Sequence, residues 1–168
     1  TASLGISDAL ATALMELRGF KAEDFAIFHP GGSLGRQLAR VKSIMHKDNL
    51  PIINLSTTLY DALFKIIECK LGIAIITDDN NILSGIIVDG DLKRLLIKNK
   101  SAENILSKSV ADIMNKNPKV IYEDTLIGEA LHIMEGKITN LVVVEDTDKG
   151  KIPIGIVHIH DILKIKAF

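Results

Sequence analysis

The second half of this chain repeats the first, and the repeat restricts the fold more than any other feature of the sequence. The segment Val41–Met45 (VKSIM) recurs 69 residues later as Val110–Met114 (VADIM). Further on, GII followed by Asp91 recurs 70 residues later as GIV followed by Asp161. Self-similarity of this kind predicts two homologous modules of roughly 60 residues each.

Both modules share one pattern of hydrophobic and polar residues. A short strand precedes a helix, a hairpin with a polar turn follows, and a second helix closes the unit. The sequence therefore predicts an α/β (α+β) fold in which the order β-α-β-β-α occurs twice. The predicted features are strands at Ile52–Ile53 and Val120–Ile121, N-caps at Thr57 or Thr58 and at Asp124 or Thr125, turns at 78–81 and 145–150, and closing helices near Asp89–Lys98 and His160–Lys166.

Composition excludes several classes of protein. Apolar residues make up 47% of the chain, which is enough to form a core, and 20 basic residues against 21 acidic ones argue against a dedicated nucleic-acid binder. Cys69 is the only cysteine, so no internal disulfide can form and nothing points to secretion. No signal peptide opens the chain, and no apolar run reaches the roughly 18 residues of a membrane span. We therefore expect a cytoplasmic protein.

The first residues already lie inside a helical pattern. Apolar side chains recur at helical spacing at Ile6, Leu10, Ala13, Leu14 and Leu17. Since this periodic run begins at the first residues, we expect the chain to be part of a longer protein.

Residues 28–38 read FHPGGSLGRQL and separate this helix from the repeat. Pro30 pushes the backbone of His29 towards extended geometry, and Gly31 and Gly32 tolerate close approach to another group. The spacing does not fit a Walker A phosphate-binding loop. From the residues alone, a turn in a linker is the favoured interpretation of the segment.

Residues 41–168 resemble a tandem pair of cystathionine-β-synthase (CBS) domains, because the start motif, helix, hairpin and closing motif all recur in order. The resemblance implies two modules that pack through their sheets, with nucleotide sites in the clefts between them. Asp91 and Asp161 match the position that contacts ribose, and Gly85 and Gly155 begin the binding motif. At the usual Ser or Thr this chain has Val88 and His158. We expect phosphate to bind less well beside Val88, whereas His158 can still donate a hydrogen bond.

Simpler interpretations of these residues remain open. An Asp in the first turn of a helix is favourable through the helix dipole alone, without any ligand. His158 and His160 lie two residues apart, but no further ligands are near, so no metal site is predicted. Lys93, Arg94 and Lys98 fit a solvated helix face better than a phosphate clamp.

The motif HPGGSLGR at His29–Arg36, followed at once by two CBS modules, resembles the arabinose 5-phosphate isomerases, which join a sugar-isomerase (SIS) domain to a CBS pair. The resemblance implies that residues 1–40 are the tail of a SIS domain, with CBS domains at 41–107 and 108–168. It further implies the interconversion of D-arabinose 5-phosphate and D-ribulose 5-phosphate, which supplies Kdo for lipopolysaccharide, without a catalytic cofactor.

In this family His29 is a candidate acid–base residue, and the other catalytic residues lie upstream of the present chain. We therefore expect this chain alone to be inactive, and its parent to be a homo-oligomer. The expected effector in the clefts is AMP, ATP or the pathway product CMP-Kdo. The alternatives are a nucleotide-sensing module without an enzymatic parent and a purely structural oligomerisation module.

Overall fold

The computed structural model describes residues 2–20, 24, 38–98 and 103–166, and it contains the two predicted modules. Helix α1 (Ala2–Leu17) comes first, and none of its residues is buried. Module 1 consists of β1 (Ile52–Asn54), α2 (Leu59–Cys69), β2 (Ile73–Thr77), β3 (Leu83–Val88) and α3 (Asp89–Lys98). The short helix α4 (Glu103–Leu106) leads to module 2, which consists of β4 (Val120–Ile121), α5 (Ile127–Met134), β5 (Asn140–Thr147), β6 (Gly150–His158) and α6 (Ile159–Lys166). Within the described ranges, no helix has the length and apolar character needed to cross a bilayer.

Each module contains one three-stranded sheet with the same topology. The first strand pairs with the second in parallel, and the second pairs with the third in antiparallel orientation. The predicted order β-α-β-β-α is thus confirmed. The second hairpin is tighter than predicted, because β5 continues to Thr147 and pairs with Gly150.

The two predicted N-caps have different outcomes. The Thr58 hydroxyl accepts a hydrogen bond from the amide of Asp61 at 3.2 Å, as an N-cap of α2 should. Neither predicted residue caps α5, which is preceded by Leu126 without a side-chain cap. Thr125 accepts a bond from the amide of Tyr122 instead, and the amide of Ile127 donates to the carbonyl of Ala39.

The two sheets pack against each other through alternate side chains of their middle strands. Ile73 and Ile75 of β2 and Val142 and Val144 of β5 share one buried apolar cluster with Ile156. The intervening residues of each strand point to the helices of their own module. This arrangement explains why the middle strands are apolar on both faces.

The segment before each module packs on the other module. We call residues 39–46 and 108–115 the leading segments of modules 1 and 2. The amide of Val41 donates to the carbonyl of Thr125 at 2.9 Å, and the amide of Val110 donates to the carbonyl of Thr57 at 3.0 Å. Val41 is fully buried in the core of module 2, and Val110 is fully buried in the core of module 1. The two modules therefore exchange their leading segments.

Candidate functional site

The largest cleft described lies between the modules and has a volume of about 740 Å³. We call it the Asp161 cleft. Its size is within the usual range of small-molecule sites, about 300–1,000 Å³. Its charged residues are mostly basic, with Asp89 and Asp161 as the acidic ones. The basic residues are Lys70, Arg94, Lys137 and Lys164.

Backbone hydrogen bonds hold the start of each closing helix beside the residue that precedes the middle strand of its module. Lys70 ends α2 in the left-handed region with φ 57°, and Gly72 follows with φ 67°. The carbonyl of Gly72 then accepts a hydrogen bond from the amide of Asp89 at 3.1 Å, and in module 2 the carbonyl of Thr139 accepts one from the amide of Ile159 at 2.8 Å. The start of each closing helix is therefore fixed beside the start of its middle strand.

Asp161 lies in the first turn of α6 with 21% of its side chain exposed. Its Oδ2 atom is 2.8 Å from Nε2 of His46, which donates because a carboxylate can only accept. Lys164 donates to Oδ1 at 3.1 Å. Burial opposes ionisation of Asp161, but the hydrogen bonds from His46 and Lys164 outweigh it, so the pKa of this carboxyl lies below its usual range. Asp161 therefore lines the cleft as an ionised carboxylate.

His158, the last residue of β6, presents a hydrogen-bond donor to the same cleft. Its Nδ1 accepts from the backbone amide of His160 at 3.1 Å, so the neutral ring carries its proton on Nε2. Burial, followed by the nearby His160, lowers the pKa of His158. The imidazole is therefore a neutral donor rather than a cation at neutral pH.

Asp91, which lies in the first turn of α3, lines a second cleft with a volume of about 400 Å³. We call it the Asp91 cleft. Arg94 donates to Oδ1 of Asp91 at 2.6 Å, as Lys164 does to Asp161. Asn115 of the second leading segment occupies the place that His46 holds in the Asp161 cleft, because each forms a bridge to the third strand of the opposite module.

Five residues line both clefts and form what we call the shared wall. They are Val88, Arg94, Lys137, Thr139 and Asn140. A ligand in either cleft would therefore meet some of the same side chains as a ligand in the other.

The two predicted glycines lie where a leading segment passes the third strand of the opposite module. Gly85 and Gly155 are both buried. A Cβ atom on Gly85 would approach the carbonyl oxygen of Asn115 to 2.7 Å, and one on Gly155 would approach that of His46 to 3.1 Å. The glycines thus admit the leading segment that carries Asn115 or His46, and neither glycine is among the residues that line the two clefts.

The other predicted residues differ in what the structure says of them. His29 and the rest of residues 28–37 lie outside the described residues. Lys93 and Arg94 are both exposed, as expected for a solvated helix face, and Arg94 also donates to Asp91 and belongs to the shared wall. The His158 and His160 rings lie 4.6 Å apart, and in the described part of the chain no group of three or more His, Cys, Asp or Glu is placed to hold a metal ion.

Sequence reasoning missed His46, Lys164 and Asn140. A signal for His46 existed, because it follows the repeated Met45 directly, as Asn115 follows Met114. Lys164 lies three residues after Asp161, just as Arg94 follows Asp91, which is the spacing of an ion pair on a helix. Asn140 had no such signal, because its counterpart in module 1 is the apolar Ile73. The two residues are equivalent because Ile73 pairs with Val88 in module 1 and Asn140 pairs with His158 in module 2.

The chain is similar to known proteins in both structure and sequence. A solved structure described as CBSX2 in complex with AMP is 30% identical, with a TM-score of 0.63 over 76% of this chain and 96% of that one. The arabinose 5-phosphate isomerase KdsD of Escherichia coli (strain K12) is 40% identical over 98% of this chain and 49% of its own length. The KdsD of Pseudomonas aeruginosa is 41% identical over the same shares. The chain thus spans about half the length of these curated relatives.

The family model of the CBS domain matches residues 41–98 and 110–167, which is more than half of the chain. The two matches cover the two modules described above. The chain belongs to the CBS-domain family, of which it contains a tandem pair.

Proposed function

We propose that this chain is the regulatory region of a D-arabinose 5-phosphate isomerase and that its clefts bind a nucleotide or nucleotide-sugar effector. The observation that carries the ligand proposal is the Asp161 carboxylate, placed in the first turn of α6 within a cleft lined by four basic side chains. The AMP bound to the related CBSX2 structure supports the same class of ligand.

The chemistry of the Asp161 cleft suits a phosphorylated ribose. A carboxylate accepts hydrogen bonds from the two hydroxyls of a ribose, and lysines attract a phosphoryl group. His158 would donate from Nε2, and the positive end of α6 adds to the attraction. In the Asp91 cleft Val88 has no side-chain donor at the position of His158, so we expect weaker binding there.

The proposed parent enzyme interconverts D-arabinose 5-phosphate and D-ribulose 5-phosphate for Kdo synthesis in the cytoplasm, as a homo-oligomer. The relatives named KdsD support an isomerase parent. Residues 1–40 would be the tail of the SIS domain, with His29 as an acid–base group, and the CBS domains would divide at residue 107. This chain alone is expected to form no ribulose 5-phosphate from arabinose 5-phosphate, as measured by chromatography. Turnover above background would contradict the need for upstream residues.

A thermal-shift panel of AMP, ATP, CMP and CMP-Kdo tests the ligand proposal. A ligand at about 100 times its Kd stabilises the folded state by about 2.7 kcal/mol, which raises the melting temperature of a chain of this size by about 5–10 °C. We expect such a shift with at least one of the four. No shift with any of them would favour the alternative, a structural or oligomerisation module that binds no small molecule.

Three matched variants locate the site. Asp161→Ala should weaken binding more than Asp91→Ala, because the Asp91 cleft lacks the donor at Val88. Asp124→Ala is the control, since Asp124 is also bound to a lysine, Lys42 at 2.9 Å, but lies in neither cleft. Equal losses of affinity in Asp161→Ala and Asp124→Ala would show that the Asp161 cleft is not the site.

A further inference from the structure

Asn140 is a polar residue in a place where the other module is apolar. It is the first residue of β5 and only 5% exposed. It pairs with His158 across the hairpin, whereas Ile73 pairs with Val88 at the same position of module 1. Packing between the sheets therefore does not require an amide here, because a fully buried isoleucine fills the equivalent place.

The amide of Asn140 is only partly satisfied. Its Nδ2 donates to the hydroxyl of Thr139 at 3.2 Å. Its Oδ1 is buried and has no hydrogen-bond partner, and it is the one such side-chain atom found within the described ranges. A buried acceptor without a donor destabilises the folded chain, because the hydrogen bond that it made to water in the unfolded chain is not replaced.

The position of Asn140 relates this unpaired oxygen to the two clefts. The residue belongs to the shared wall and so lines both the Asp161 cleft and the Asp91 cleft. The oxygen itself is sealed from solvent, but rotation about the Cβ–Cγ bond of an asparagine is soft and can turn the oxygen towards the cleft. A ligand with a suitable donor could then supply the missing hydrogen bond.

We propose that Asn140 is a ligand-recognition residue whose side-chain carbonyl accepts a hydrogen bond from an amino or hydroxyl group of the bound nucleotide. This inference rests on the proposed nucleotide-binding function and assigns a residue that the repeat does not predict. It also explains why module 2 keeps an amide where module 1 has Ile73: the unsatisfied oxygen costs stability in the empty cleft and gains a partner in the occupied one.

The test is Asn140→Leu in the whole chain, because leucine has the same branching at Cγ and no polar atoms. The melting temperature without nucleotide should rise by several degrees, since an unsatisfied buried group is removed. The affinity for AMP or CMP, measured by calorimetric titration, should fall by about 3- to 10-fold, the usual value of one hydrogen bond. Asn140→Ile, which copies module 1, should behave in the same way and provides a second variant if the first folds poorly.

Asn80→Leu is the control, because Asn80 is exposed in the β2–β3 turn and lines neither cleft. It should change neither the melting temperature nor the affinity. A lower melting temperature in both Asn140 variants would mean that the amide is structural, and unchanged affinity would mean that the ligand does not use it. Either result overturns the inference. If wild type binds neither nucleotide nor any other of the panel, the proposed function itself fails, which is a different outcome from binding that the variants retain.

Discussion

Asp161 and Asp91 hold the same position in their modules and have different neighbours. Each accepts a hydrogen bond from a basic residue three positions later in its helix, Lys164 or Arg94. Asp161 is also bound to His46, which comes from the leading segment of module 1 and lies 115 residues away in sequence. A ligand that engages Asp161 must therefore share this carboxylate with His46 or displace it, whereas the second partner of Asp91 is the backbone amide of Val88 at 3.4 Å.

The lowered pKa of Asp161 predicts a pH-dependent contribution to stability. Since the carboxyl titrates below its ordinary value of 3.8 in the folded chain, folding favours the ionised form. Its contribution is complete above the ordinary pKa and is lost as the pH falls through the folded value. Asp161→Asn should therefore lower the free energy of unfolding at about pH 6 and have a progressively smaller effect towards about pH 3.

Urea unfolding of wild type and Asp161→Asn across this pH range measures the effect. A difference between the two proteins that stays constant down to about pH 3 would contradict it, because that difference would then arise from packing and not from charge.

At the scale of secondary structure, local patterns predicted most of the fold and part of the site. Alternation and helical spacing predicted the strands, the helices and the first-turn positions of Asp91 and Asp161, since these depend on neighbouring residues. They did not predict that Ala39 satisfies the amide at the start of α5, nor that Gly85 receives the second leading segment. Both are contacts between distant parts of the chain, and periodicity contains no information about them.

The close approach of each leading segment to the third strand of the opposite module predicts how Gly85 and Gly155 respond to substitution. Gly85→Ala should lower the free energy of unfolding by about 1–3 kcal/mol, because its Cβ would lie 2.7 Å from both the Asn115 carbonyl and the Met114 sulfur. Gly155→Ala should cost less, since its closest contact is 3.0 Å, to the flexible Met45 side chain. Chemical denaturation of each variant measures the order.

Gly128→Ala is the matched control for these two variants. Gly128 lies in α5 with no atom within 4 Å of the added Cβ, so alanine should leave stability unchanged or raise it by up to about 1 kcal/mol. If Gly85→Ala were as stable as wild type but bound AMP less well, the glycine would contact the ligand instead of the leading segment.

At the scale of the whole molecule, the exchange of leading segments makes the two modules dependent on each other. Val41 precedes module 1 in sequence but belongs to the core of module 2, and Val110 does the reverse. The same exchange delivers His46 and Asn115 to the clefts. The exchange would thus couple stability to the proposed ligand binding, because a leading segment that detaches removes both core packing from one module and a polar side chain from a cleft.

Substitution of Val41 or Val110 by alanine tests this exchange, because it shows which module loses local stability. Val41→Ala should destabilise the chain by about 1–3 kcal/mol, as expected when buried methyl groups are lost. Amide hydrogen exchange should then become faster in α5 and β5 of module 2 before it changes in α2 of module 1. Val110→Ala should give the mirror result, with faster exchange in α2, and so serves as the internal control. If each substitution loosened the module that follows it in sequence, the leading segments would not be exchanged in solution, and His46 could not remain bound to Asp161.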